Sequence, residues 1–175
     1  MTDDITLRTL TLDEALACSE QLADVLIDCV EGGASVSFML PLARDKALRF
    51  WAGVAAGVGR GERTLIVAQD RDGIVGTVQL ITDMPDNQPH RADVAKLLVR
   101  QRVRGAGVGQ RLMEAVEAAA RVQGRSVLVL DTANAAAERL YERLGWQRVG
   151  VVPGYAYLPA GGLCATVFFY KQLGI

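Results

Sequence analysis

Apolar positions along the 175-residue chain recur with two periods, one helical and one strand-like, and the two alternate. Residues 5–10 (ITLRTL) alternate enough to predict a first strand. From Thr11 or Asp13, both suited to a helix cap, apolar residues repeat at helical spacing towards Cys29. Gly32 and Gly33 end that run. A second helix is predicted over residues 42–56, with Leu48, Trp51 and Ala55 on one face, before the glycines of residues 57–61. Residues 64–69 (TLIVAQ) read as a strand, Asp72-Gly73 as a hairpin turn, and residues 74–82 as the returning partner. Residues 84–90, rich in Pro, Asp and Asn, predict a loop ahead of a third central strand at 92–99.

The second half continues the alternation. Leu112, Val116 and Ala119 mark a helix over residues 108–122, ended by Gly124. Residues 127–130 predict a buried strand, 135–144 a short helix closed by Gly145, and 146–152 another strand. Pro153-Gly154 is expected to turn the chain, and residues 167–170 to form the last strand. No internal repeat or linker divides the sequence. The expected fold class is α/β (α+β): one domain over residues 1–175, a mixed central sheet flanked by helices. Antiparallel hairpins come first, and one β-α-β crossover surrounds the glycines at 105–109.

Composition narrows the function classes. Half of the residues are hydrophobic and 22% are charged, which suits a packed globular core. A net charge of −1 gives no electrostatic reason for a nucleic acid or an anionic membrane as main partner. No apolar run reaches the roughly 18 residues of a bilayer-spanning helix. The start, MTDDITLRTL, is acidic and lacks the layout of a secretion signal. Cys18, Cys29 and Cys164 are odd in number and far apart, so neither a disulfide framework nor a zinc site is expected. A reducing cytoplasm is the simplest location. His90 is the single histidine, which excludes any mechanism needing two.

Candidate chemistry concentrates in RVRGAGVGQRLM, residues 102–113. Residues 96–111 hold five basic side chains (Lys96, Arg100, Arg102, Arg104, Arg111) and no acidic one. Three alternating glycines run into an amphipathic helix. A helix N-terminus exposes unpaired N–H groups and about half a positive charge, and glycines let a bulky anion approach them. The combination predicts a phosphate or pyrophosphate seated where strand meets helix. No Lys-Ser/Thr pair follows the glycines, so a P-loop is not supported. The third glycine of a dinucleotide fingerprint would fall on Leu112, which weakens that reading too.

Arg104-Gly105-Ala106-Gly107-Val108-Gly109 resembles the Arg/Gln-x-x-Gly-x-Gly signature of the GCN5-related N-acetyltransferases. About 30 residues on, the run from Asn134 to Trp146 (NAAAERLYERLGW) resembles that family's second signature, with Trp146 where Phe is commoner. Within the family, EGGASVSFM (31–39), HRADV (90–94), LDT (130–132) and VPGY (152–155) are similar to the tabtoxin-resistance acetyltransferases. The resemblance implies acetyl-CoA as cosubstrate without a metal, and a small amino-acid-like amine as acceptor, with toxin detoxification as one setting. It also implies that the amides of Gly105, Gly107, Val108, Gly109 and Gln110, with Ala106 between them and Arg104 beside them, hold the pyrophosphate. Leu98 and Val99 would pair with the pantetheine arm.

Helical spacing puts Asn134 and Tyr141 two turns apart on one face, and both are candidates to face that arm. Tyr141 is the candidate general acid; its alternative is a half-buried core residue. Asp131 ends an apolar strand where α/β ligand sites gather, and is the candidate base or ammonium counter-ion. Its alternative, shared with Thr132, is a cap on the next helix. Glu31, Ser35, Phe38, Trp51 and Tyr155 are candidates for the acceptor pocket; the alternatives are core packing for Phe38 and Trp51 and a solvent-facing position for Glu31. The other functional readings are acetylation of a protein N-terminus or lysine, and CoA binding without catalysis. A homodimer is a candidate state.

Overall fold

A computed structural model describes residues 5–174; residues 1–4, which include the two acidic residues of the N-terminal stretch, and residue 175 lie outside the described residues. The elements run β1 (Thr6–Leu10), α1 (Leu12–Ala17), α2 (Ser19–Glu31), α3 (Arg44–Gly59), β2 (Arg63–Asp70), β3 (Gly73–Ile81) and β4 (Arg91–Val99). A short 3-10 turn at Gln101–Val103 leads to α4 (Val108–Val122), β5 (Val127–Thr132), α5 (Ala135–Arg143), β6 (Gln147–Tyr157) and β7 (Leu163–Gln172). The strands form one seven-stranded mixed sheet in the order β1-β2-β3-β4-β5-β7-β6. Every neighbouring pair is antiparallel except β4 and β5, which the α4 crossover makes parallel.

Two expectations are corrected. The helix read as continuous from residue 11 to Cys29 is two helices that meet at Cys18. Thr11 caps α1 in a reciprocal box: its hydroxyl accepts from the Glu14 amide, and the Glu14 carboxylate accepts from the Thr11 amide. Apolar spacing carries across the break, so periodicity alone does not register it. The second correction concerns Pro153-Gly154, which does not reverse the chain. Strand β6 runs through both residues and absorbs them in a register shift between Val152 and Ala156. β6 is an edge strand, where a proline sacrifices no ladder bond. The reversal falls at residues 158–162, with Gly161 and Gly162 left-handed, and β7 starts four residues earlier than residue 167.

The sheet is covered on both faces. Leu65, Val67 and Ile74 pack with α1, α2 and α3, whereas Ile66, Ala68 and Val75 pack with α4. Central strands buried on both sides need continuous apolar runs, which explains TLIVAQ. No helix among the described residues is long and apolar enough to cross a membrane.

Trp146 closes the first core. Its indole N–H donates to Glu117 Oε1 at 2.9 Å, and Lys171 Nζ donates to Glu117 Oε2 at 2.7 Å and to the Leu144 carbonyl at 2.6 Å. Glu117 is only 6% exposed, so this charge is kept by its partners. A phenylalanine at 146 would fill the ring site but leave one Glu117 oxygen without its donor. Trp146→Phe is expected to cost about 2 kcal/mol of folding stability, read by chemical denaturation. An unchanged midpoint would remove the bond from the account.

Candidate functional site

The pairing of β4 with β5 covers only Arg91–Asp93 against Val127–Val129. Beyond those residues the strands diverge. β4 is bulged where they part: Thr77 faces Leu98 but Gln79 faces Ala95, so three steps on β4 match two on β3. Lys96 occupies the bulge with φ +52, and its carbonyl accepts from Thr77 Oγ1 at 3.1 Å. A cavity of about 810 Å³ fills the divergence, walled by β4, β5, the start of α4, one face of α5 and the loop of residues 33–37.

One end is built from backbone. Gly105 (φ +82) and Gly107 (φ +77) are left-handed, and Gly107 is the N-cap of α4. That conformation costs an ordinary residue about 1–2 kcal/mol. Among the described residues, nothing accepts from the amides of Gly105, Gly107, Val108, Gly109 and Gln110. Arg111 makes the first intrahelical bond, to the Gly107 carbonyl at 3.1 Å. Gly109 has a different reason to lack a side chain: a Cβ there would lie 3.3 Å from Leu140 of α5. The Val99 carbonyl accepts from Arg104 Nε at 3.3 Å and from Cys29 Sγ at 3.5 Å. Burial pushes the Cys29 thiol pKa up.

The basic cluster read from the sequence does not stay together. Arg102 is held by Asp70 through two bonds, 2.7 and 3.1 Å. Lys96 faces the opposite end of the cavity, where its ammonium donates to Ser37 Oγ at 3.2 Å. Arg104 remains at the glycine end, and α5 adds Arg139 and Arg143. Those two were missed, although their i, i+4 spacing in the second signature places them on one helix face. Anion-binding capacity here lies in amide N–H groups and the helix terminus more than in the expected row of arginines.

The other end carries titratable groups. Tyr141 lines the cavity yet is 5% exposed, its ring against Trp146 and Phe169. Burial, seconded by the Asp131 charge, raises its pKa well above the usual phenol value. Asp131 Oδ2 accepts from the buried Thr166 hydroxyl at 2.7 Å, which fixes the carboxylate. Neither Asp131 nor Thr132 caps α5. That cap is Asn134, whose Oδ1 accepts from the amides of Ala136 (2.8 Å) and Ala137 (3.0 Å).

Leu98, Val99, Asn134, Ser35 and Tyr155 share the cavity wall with these groups. Four predicted residues stand elsewhere. Ala106 packs against the first core, and Glu31 is exposed outside the cavity wall. Phe38 stacks edge-on against Phe50, and Trp51, 1% exposed, lies in the second core. The loop histidine, His90, is exposed, and its carbonyl accepts from Ser126 and Val127 at the start of β5.

Residues 61–148, half of the chain, match the family model described as the acetyltransferase (GNAT) domain. An uncharacterized N-acetyltransferase from the hisH-hisA intergenic region of Azospirillum brasilense is 35% identical over 112 residues, 63% of this chain and 65% of that protein. The chain thus spans less than two thirds of the length of the curated relatives it matches. Two solved structures share the fold. The Salmonella typhimurium protein yncA, solved with its cofactor acetyl-CoA, has a TM-score of 0.79 at 18% identity, covering 99% of this chain and 96% of that one. A ribosomal-protein-alanine N-acetyltransferase from Brucella melitensis has a TM-score of 0.77 at 21% identity, covering 96% and 99%.

Proposed function

The chain belongs to the GNAT acetyltransferase domain family, and from that membership we propose that it transfers the acetyl group of acetyl-CoA to the primary amine of a small amino-acid-like molecule. The observation that carries the reading is the run of unpaired amides at the N-terminus of α4, in the same cleft as Tyr141 and Asp131. Left-handed glycines and free N–H groups suit a pyrophosphate, so the residues present fit the cosubstrate. The amides of Gly105 and of residues 107–110 would hold it, with Arg104 adding charge. The edge of β4 at Leu98 and Val99, which β5 leaves open, would align the pantetheine arm, and Asn134 would face it from the cap of α5. The bound cosubstrate supplies an acetyl thioester.

The rest is the work of this chain's own groups. Asp131, fixed by Thr166, takes the proton that the acceptor ammonium must lose. Tyr141, kept protonated by its burial, offers its O–H to the sulfur that leaves. Walls on both sides hold the amine near the reacting carbon, and that positioning supplies several kcal/mol of the barrier. Ser35 and Tyr155 belong to the acceptor end of the same reading.

The tabtoxin-resistance resemblance of residues 31–39, 90–94, 130–132 and 152–155 supports a detoxifying role for this transfer. Free Cys18, Cys29 and Cys164 support the reducing cytoplasm. A homodimer belongs to the same reading, with the exposed Val149, Val151, Val152 and Tyr157 of β6 as its surface and sedimentation as its test.

Tyr141→Phe keeps the ring packing and removes the proton. It is expected to lower kcat by about 100-fold or more while CoA affinity stays unchanged; normal turnover would remove Tyr141 from the chemistry. Gly107→Val strains the cap and obstructs the cradle. It is expected to weaken CoA binding about tenfold in calorimetry, or about 1.4 kcal/mol, and unaltered affinity would remove the pyrophosphate assignment. Thiol release from acetyl-CoA across an amine and peptide panel decides the class. Acceleration by peptides alone favours a protein acceptor, and CoA binding without any acceleration favours a non-catalytic module.

A further inference from the structure

Ser37 (φ +81) and Lys96 (φ +52) are the two non-glycine residues with left-handed backbone among the described residues, and they touch each other. They come from separate segments, one from the loop after α2 and the other from the β4 bulge. Strain of this kind costs about 1–3 kcal/mol per residue and concentrates where a site must be held in one geometry. Here it brings the Lys96 ammonium onto the cavity wall, 3.2 Å from Ser37 Oγ and 6.0 Å from the centre of the Phe50 ring.

Ser37 is the sole hydrogen-bond partner of that ammonium among the described residues. An ammonium with one neutral protein partner keeps two N–H donors facing the open cavity, available to a ligand. Asp131 acts on it through space but is engaged by Thr166 and makes no ion pair with it. Away from Arg104, Arg139 and Arg143, the cavity wall therefore presents one carboxylate and one ammonium that make no ion pair with each other. A zwitterion complements that arrangement.

We infer that Lys96 and Ser37 form a carboxylate subsite beside Asp131, so that the acceptor amine belongs to a molecule carrying a carboxylate, as a free amino acid does. The inference rests on the acetyl-transfer reading above for the meaning of the amine. Asp131 faces the ammonium end of the acceptor, and Lys96 with the Ser37 hydroxyl faces its carboxylate. Burial lowers the pKa of Lys96, and an arriving carboxylate offsets that loss. The same contact gives a role to a lysine at a strained bulge position where glycine or asparagine would sit more easily.

The test compares neutral amino acids with their carboxamides on the CoA-loaded full chain, by calorimetric binding and by initial rates with acetyl-CoA. The acids are expected to bind at least about tenfold more tightly than the amides. Lys96→Gln should erase that preference. The KM of the acids should rise about tenfold, with smaller change in kcat, in the amides and in CoA affinity. Lys96→Arg should restore part of the preference, and Ser37→Ala should weaken it in the same direction. Equal affinity for acids and amides in the wild type overturns the subsite, as does equal loss of both in Lys96→Gln. If CoA binds but no amine accelerates thiol release, the transfer reading fails, while the acid-over-amide binding preference still decides the subsite.

Discussion

Strands β4 and β5 share a ladder over three residue pairs and then part, and the site depends on that parting. A parallel pair that stayed zipped would bury the inner edges of both strands against each other. The bulge at Lys96 bends β4 away instead, while the α4 crossover keeps the two starts adjacent. The open edges, the N-terminus of α4 and the cap of α5 then converge on one cavity. Its two ends differ in kind: amide donors at the α4 end, and fixed charges on β4 and β5 at the other.

That division of labour follows from what each element can supply. A helix terminus offers several parallel donors without the entropy of long side chains, so it suits a large polyanion. Strand ends offer few but precisely held side chains, such as Asp131 on the Thr166 hydroxyl. Behind both lies the Glu117–Trp146–Lys171 cluster, which ties α4 to the start of β6 and to β7. It sets the orientation of α5, and with it the position of Tyr141 against Trp146 and Phe169.

Much of this was legible in the sequence because the signals are local. Gly105 and Gly107 announced the left-handed turn into α4, and the Asp72-Gly73 turn and apolar runs announced the hairpins. The seven-stranded mixed sheet with flanking helices matches the expected class. What escaped depends on tertiary partners. The break at Cys18 leaves the apolar period intact, and an edge position lets β6 pass through Pro153. Lys96 looked like one more phosphate-binding cation, since nothing in its neighbours reveals a bulge that sends it to the far end of the cavity. Phe38 and Trp51 looked available as pocket walls, but α3 turns them into the second core.

In the proposed function, the divergence of β4 from β5 holds acetyl-CoA along the α4 terminus. An amide-resolved NMR titration of the full chain with acetyl-CoA tests it most directly. The largest shifts are expected at Gly105, Gly107, Val108, Gly109, Gln110 and Val99, with β1 and the outer edge of β6 unmoved. Saturable binding that leaves those amides unshifted and perturbs another surface would contradict it.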